Sequence, residues 1–400
     1  MISASYFLTK IKDVKIKDIL SIFPMTIAFL ISPLFKNKYR NTWLICEEPS
    51  EARDNGYVFF KYLCKNTNQK CVYAIKKNSV DHKKVQNIGP LVRHGSVKHW
   101  IIYFTCRYNI SSQKGGKPNA AICSFFELNN VFKTQNVFLQ HGVIINNLEW
   151  LHADRSRFKY FVTSTTDETK YIKKNFGYPD STIIETGLPR FDLYHSKIRK
   201  NVILIMPTWR SWFNLKSKQE KGLECDFSKS EYFHKWKDFL EDPTLNKIIT
   251  NNKLQIVFYI HRNLQKYSHL FKDLNTKATI ASWKEYDIQK LLIESRAMVT
   301  DYSSVFYDMV YMKKPVIFYQ FDKEKFRKYQ YSAGYFNYDN NKFGKTYEKQ
   351  REAISALKDT IDKRYSVNDE YITEHKKQFR LYDTNNCKRI YNILSEKNEK

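Results

Sequence analysis

Several nucleotide-enzyme signatures are missing from this chain. No GxxxxGK[ST] loop occurs, which argues against a P-loop nucleotidase, and no GxGxxG follows an apolar run. No GxSxG elbow is present, and Ser303 lacks the flanking glycines of a hydrolase nucleophile. HxxxH-type zinc spacings and the Asp-x-Asp pair of metal-dependent sugar transferases are absent as well. The seven cysteines form no CxxC pair and no Cys/His cluster, the usage of a reduced, cytosolic protein. Acidic residues are in short supply: 41 Asp and Glu stand against 67 Lys and Arg, a formal charge of +26. Such an excess attracts polyanions, nucleotide-activated substrates or anionic lipid headgroups. Solenoid repeats and low-complexity tracts are lacking. With 42% hydrophobic and 16% aromatic residues the chain folds, and 400 residues are long for one core, so two domains are expected.

The most informative stretch is Thr300-Asp301-Tyr302-Ser303-Ser304-Val305-Phe306-Tyr307-Asp308. It follows the strand-like Ala297-Met298-Val299 and opens an apolar segment of helical length, Val305 to Met312. Lys313-Lys314-Pro315 stop that segment before a further strand, Val316-Ile317-Phe318. A strand–turn–helix–strand unit places the turn at a strand's carboxyl end and a helix's amino end, where N–H groups favour an anion. The serine hydroxyls add donors for phosphate oxygens. Simple helix capping by Asp301 or Ser303 is the alternative.

Other polar clusters also follow strand-like runs. Gln140-His141-Gly142-Val143 follows Asn136 to Leu139, and Gly187-Leu188-Pro189-Arg190 follows Thr182 to Glu185. Pro207-Thr208-Trp209-Arg210 follows Val202 to Met206, and His261-Arg262 follows Leu254 to Ile260. The alternation is that of parallel α/β sheets. Clusters converging at carboxyl edges describe a cleft between two doubly wound domains, suited to a substrate with two phosphates and a proton to remove. His141 can take a proton from a hydroxyl, or can instead shape its loop. Further expected elements are a strand at Trp43 to Cys46, a helix over Ala52 to Cys64, a helix near Glu168 to Asn175, and a helix over Asp287 to Ser295. Trp100 to Cys106 is ambiguous, and Ser211 to Asp242 reads as an insertion or long loop with short helices. Glu348 to Asp362 and Asp369 to Leu394 look helical.

At the amino end, Lys10, Lys12, Lys15 and Lys17 precede the apolar run Ile19 to Phe35, which Pro24 and Pro33 interrupt; Lys36, Lys38 and Arg40 follow. The run is marginal for a membrane span. An interfacial helix with basic flanks fits better, with docking on the protein's own core or on another subunit as the alternative.

In this order, His141 with Gly142, Gly187-Leu188-Pro189-Arg190, Pro207-Thr208-Trp209-Arg210, His261, Thr300 to Ser304 with Asp308, Lys314 to Tyr319 with Asp322, and Gly334-Tyr335 resemble the CDP-glycerol glycerophosphotransferase family. That family includes the teichoic acid glycerol phosphate primases and polymerases. The likeness spans roughly His141 to Tyr335. It implies an α/β, GT-B-type fold of two doubly wound Rossmann-like domains facing a central cleft, with an N-terminal membrane-proximal helix. The domains would be a membrane-associating segment over 1–40, an acceptor domain over 41–198, a CDP-polyol-binding domain over 199–345, and C-terminal helices over 346–400 that pack back on the first domain. The donor would be CDP-glycerol or another CDP-polyol, and the acceptor a lipid-linked or polymeric hydroxyl. The enzyme would sit peripherally on the cytoplasmic face of an anionic membrane, with no nucleic acid as partner. Carried over, His141 is the base and His261 its catalytic companion. Gly142, Arg190, Pro207, Thr208, Arg210, Ser303, Ser304 and Asp308 contact the donor. No cofactor is implied; a divalent cation could assist, but no protein metal site is evident. Many members carry Trp-His-Gly-Thr-Pro where this chain has Gln140 to Ile144, and proline where it has Arg262. Competing readings are a GT-B glycosyltransferase using a nucleotide sugar and a basic nucleic-acid-binding protein.

Overall fold

The computed structural model describes residues 15–213 and 226–396. Lys10 and Lys12 lie outside them, as does part of the 211–242 stretch. The strands run, in chain order, β1 Trp43–Cys46, β2 Cys71–Ile75, β3 Leu91–Arg93, β4 Tyr108–Ser111, β5 Asn136–Phe138, β6 Asn146–Asn147, β7 Tyr160–Thr163, β8 Ile183–Glu185, β9 Val202–Ile205, β10 Gln255–Tyr259, β11 Thr279–Ala281, β12 Ala297–Thr300, β13 Val316–Tyr319, β14 Ser332–Ala333 and β15 Thr346–Tyr347. They divide between two compact units: Met1–His141 with Glu149–Leu193 and Asp383–Lys400, and Gly142–Leu148 with Tyr194–Tyr382.

The first unit holds a seven-stranded sheet in the order β3-β2-β1-β4-β5-β7-β8, parallel throughout. β1 and β2 are buried on both faces, which explains their unbroken apolar sequence. The strand order reverses beside β1, so the switch point lies at the carboxyl ends of β1 and β4, where doubly wound sheets bind ligands. Helix α1 (Ile16–Tyr39) runs unbroken through Pro24 and Pro33, contrary to the expected interruption. Met25, Ala28, Ile31 and Phe35 on one face pack into a core with Trp100 and Ile101 of a later helix, Val97–Thr105. That helix is the ambiguous 100–106 segment; apolar on nearly all sides, it carries no period that separates helix from strand. Asp18 accepts from Lys15 N–H at 2.9 Å and from Asn119 Nδ2 at 2.9 Å, tying the start of α1 to the domain. The opposite face of α1 exposes Ile16, Leu20, Phe23, Leu30 and Leu34, the last at 81%. α1 is long and apolar enough to cross a membrane by length and composition.

The second unit holds a six-stranded parallel sheet, β11-β10-β9-β12-β13-β15, with its switch point at β9 and β12. Its core gathers Ile203, Ile205, Trp236, Phe258 and Val299. The 211–242 stretch is no loose insertion in its described part: helix Glu231–Glu241 buries Tyr232, Phe233, Trp236, Phe239 and Leu240 along one face. Helix Gln350–Asp362 buries Ala353, Ile354 and Leu357 in the same core. The expected helix over 369–394 is two: Asp369–Gln378 in this unit, and Asn386–Glu396, which belongs to the first. There Asp192 caps the last helix, accepting from the N–H of Asn386 and Cys387 at 2.8 and 2.9 Å. A small antiparallel pair, β6 with β14, completes the second unit. Gly334 follows it because a Cβ there would lie 2.3 Å from the Ile145 carbonyl oxygen.

Candidate active site

In the first unit, β5 continues through buried Leu139 into Gln140, whose φ of 65° is left-handed and uncommon for a glutamine. Hydrogen bonds hold it there. Its Nε2 donates to the Val162 carbonyl at 2.6 Å and to Glu168 Oε1 at 3.0 Å, and its carbonyl accepts from Asn55 Nδ2 at 2.7 Å. This bend turns His141 outward, with its side chain 70% exposed. His141 Nδ1 lies 2.5 Å from Asp54 Oδ2 and 3.0 Å from the Gln113 side-chain amide. Asp54 is the N-cap of helix α2 (Asn55–Asn66). Arg190, nearly fully buried, donates through Nη1 to Asp54 Oδ1 at 2.9 Å and to the His141 carbonyl at 2.6 Å. Asn55 Oδ1 in turn accepts the Arg190 N–H at 3.0 Å. Gly187, at φ 79° and pressed against Asn386, makes the turn that delivers Arg190. The Gly-Leu-Pro-Arg run therefore buttresses the histidine loop.

Glu47, just past β1, accepts from the N–H groups of Gly56 and Tyr57 at 2.7 and 2.9 Å, from Tyr73 at 2.8 Å, and from Ser112. Burial, and then the charge of Asp54, push its carboxyl up to about 7 against those donors. For Asp54, burial raises the pKa, but the His141 imidazole and the Arg190 guanidinium outweigh it and hold the carboxyl below its ordinary value. For His141, the Asp54 carboxylate raises the pKa above the ordinary histidine value, against desolvation and the Arg190 charge.

In the second unit the switch point carries Pro207-Thr208 after β9 and Asp301 to Ser304 after β12. The Thr208 N–H donates to Asp301 Oδ1 at 2.7 Å. Ser303 and Ser304 are half-exposed; the Ser303 and Ser304 carbonyls accept from Phe306 and Tyr307 N–H. The helix that follows spans only Phe306–Tyr311, shorter than the expected Val305 to Met312, so its dipole is small and anion binding there falls to the hydroxyls and turn N–H groups. His261 caps a short 3-10 helix: its Nδ1 accepts from the Asn263 N–H at 3.2 Å, which places the ring proton on Nε2, and the ring stacks on Trp209 at 6.1 Å. The Arg262 guanidinium sits 4.6 Å over the Trp283 ring.

Like Arg190 in the first unit, two sequence-derived contact residues of the second point inward. Arg210 is wholly buried: it donates to Asp322 at 2.8 and 3.0 Å, to Asp301 Oδ2 at 2.8 Å and to the Thr208 carbonyl at 2.7 Å. It shapes the Thr208 loop. Burial would lower its pKa, but Asp322 and Asp301 outweigh that and raise it, so the guanidinium stays charged. Asp308 is also fully buried and accepts from the Tyr194 hydroxyl at 2.6 Å. Gly142 begins the segment Gly142–Leu148 that belongs to the second unit. Among the described residues no group of three or more His, Cys, Asp or Glu is placed to hold a metal ion. Sequence reading missed Asp54, Asn55, Glu47 and Gln113. For Asp54 a signal existed: Asp-Asn-Gly ahead of an apolar run is an N-cap pattern, whereas the expected helix began at Ala52 and so enclosed it.

Two parallel doubly wound units, with polar turns at their switch points, define an α/β protein of the GT-B type. Residues 27–396 match the family CDP-Glycerol:Poly(glycerophosphate) glycerophosphotransferase, and the chain belongs to that family. The resemblance drawn from the His141 to Tyr335 motifs is borne out, and the match begins well upstream of them. The chain is 30% identical over 369 residues to the minor teichoic acid biosynthesis protein GgaB of Bacillus subtilis (strain 168), covering 88% of this chain and 39% of that protein. It is 24% identical over 346 residues to the teichoic acid glycerol-phosphate transferase of Staphylococcus aureus (strain NCTC 8325 / PS 47), covering 76% and 80%. This chain thus spans about two-fifths of GgaB but most of the staphylococcal transferase. Among solved structures, a variant of the wall teichoic acid polymerase TagF superposes with a TM-score of 0.66 at 16% identity, covering 96% of this chain and 98% of that one. A UDP-N-acetylglucosamine 2-epimerase from Listeria monocytogenes superposes at 0.55 and 11% identity, covering 90% and 98%.

Proposed function

We propose that this chain transfers a polyol phosphate, glycerol phosphate first among the candidates, from a CDP-activated donor to a hydroxyl of a lipid-linked or polymeric acceptor. CMP is released, and the product is a teichoic acid-like or capsular surface polymer. The observation that carries the reading is an exposed, carboxylate-paired histidine at a strand's carboxyl end in a member of the glycerophosphotransferase family. His141 takes the acceptor proton, the acceptor oxygen attacks the phosphorus bearing the polyol, and the bond to the CMP oxygen breaks. A transfer of this type needs positioning and charge stabilisation more than covalent catalysis. His261, with its Nε2–H donor, and the Thr208, Ser303 and Ser304 turns are the proposed diphosphate contacts. Pro207 and Gly142 give the backbone close approach. Arg190, Arg210 and Asp308 act from behind, by holding the loops that make contact.

The test is donor screening, with released CMP or the equivalent nucleotide as readout. CDP-glycerol, or another CDP-polyol, is expected to be consumed in the presence of acceptor. Turnover confined to nucleotide sugars would replace this reading with that of a glycosyltransferase. The outward face of α1 and the basic residues Lys36, Lys38 and Arg40 at its end support peripheral attachment to the cytoplasmic face of an anionic membrane. Co-sedimentation with vesicles should strengthen with anionic lipid content; indifference to lipid charge would remove the electrostatic part of this reading.

A further inference from the structure

We propose that Asp54 is the positioning residue for His141: its carboxylate selects the imidazole tautomer protonated on Nδ1 and so makes Nε2 the atom that accepts the acceptor's proton. The inference rests on the reading of His141 as the base. A carboxylate oxygen and a ring nitrogen 2.5 Å apart must share a proton, because two facing lone pairs at that distance would repel. The carboxylate has none to give while ionised, so the proton belongs to Nδ1. The Gln113 amide, also near Nδ1, then serves best with its oxygen toward the ring.

Asp54 itself is immobilised. Its Oδ1, the oxygen turned away from the His141 ring, accepts both the Asn55 N–H at 2.8 Å, which caps α2, and Arg190 Nη1 at 2.9 Å. The same Arg190 nitrogen holds the His141 carbonyl, so carboxylate and histidine backbone are set against one another by a single guanidinium. The charged groups facing the ring come from three elements: Asp54 at the head of α2, Arg190 after β8, and Glu47 after β1. Asp54 and Glu47 favour the imidazolium and Arg190 opposes it, with Asp54 the strongest. In the reaction the hydroxyl proton passes to Nε2, the acceptor oxygen bonds to phosphorus, and CMP departs with the electron pair of the broken P–O bond. The doubly protonated ring is then stabilised by Asp54 until it releases its proton to solvent.

The base form exists only above a pKa that Asp54 has raised, so the acid limb of activity lies above the ordinary histidine value in the native protein. Asp54→Asn should move it down. Asparagine remains a good N-cap, so folding is retained. In the full chain, Asp54→Asn is expected to lower kcat about a hundredfold or more while leaving the donor KM within about twofold; Asp54→Glu should recover part of the loss. Nitrogen NMR of the histidines should show His141 as the Nδ1–H tautomer above its titration in the native protein, and a lower titration point in Asp54→Asn. An unmoved titration point, or an Nε2–H tautomer in the native protein, would overturn the proposal. If the native protein releases no CMP from any CDP-polyol, the reading of the function fails, yet the NMR result still decides the role of Asp54.

Discussion

The two histidines at strand ends sit on the same topology and are prepared in opposite ways. His141 engages its Nδ1 with a carboxylate and has a charged neighbourhood of Asp54, Arg190 and Glu47. His261 engages its Nδ1 with a backbone N–H and stacks on Trp209, so it presents a proton rather than a lone pair. The charges of the second unit lie deeper: Arg210, Asp301 and Asp322 are buried and bonded to one another. One unit sets its ionic groups around an exposed imidazole; the other uses them to shape the turn at Thr208. A polar residue after a parallel strand thus has two possible fates, and which it meets depends on partners far away in the chain.

This contrast can be broken experimentally. The largest effect is expected for Arg210→Met, which leaves Asp301 and Asp322 uncompensated; urea unfolding should register a loss of about 3–5 kcal/mol. An unchanged midpoint would mean that the buried ionic cluster is dispensable. His141→Ala should keep the native unfolding profile and lower turnover roughly a hundredfold or more. His261→Ala should lower turnover by about tenfold to a hundredfold through the lost proton donor, without moving the acid limb of the pH profile, and His261→Gln should recover part of it. A shifted acid limb in His261→Ala would erase the distinction between the two rings. The smallest effect belongs to Ser304→Ala: a weakening of donor binding of about 1 kcal/mol by calorimetry, the scale of one neutral hydrogen bond.

The sheets were readable because parallel strands buried on both faces are written as apolar runs. Val202 to Met206 and Ala297 to Val299 are such runs, and both are strands. The turn residues after them were readable for the same reason. Less visible were strands such as β4, where Asn109 is buried only because Gly116 and Asn136 accept its amide protons. Helix Glu231–Glu241 does carry a helical apolar period, obscured by the polar sequence around it. The burial of Arg210 and Asp308 had no local signature: the side chains they bond lie 91 to 114 residues away. Asp54 and His141, 87 residues apart, form a pair that no local pattern encodes.

The outward face of α1 has a mechanical corollary. Because its inner face is keyed into the core with Trp100 and Ile101, the helix has no freedom to roll about its own axis. A bilayer gripping Leu20, Phe23 and Leu30 would therefore hold the whole first sheet at one tilt and one height. Encounters with acceptors anchored in the same leaflet would then become a search in two dimensions, governed by surface density rather than by bulk concentration.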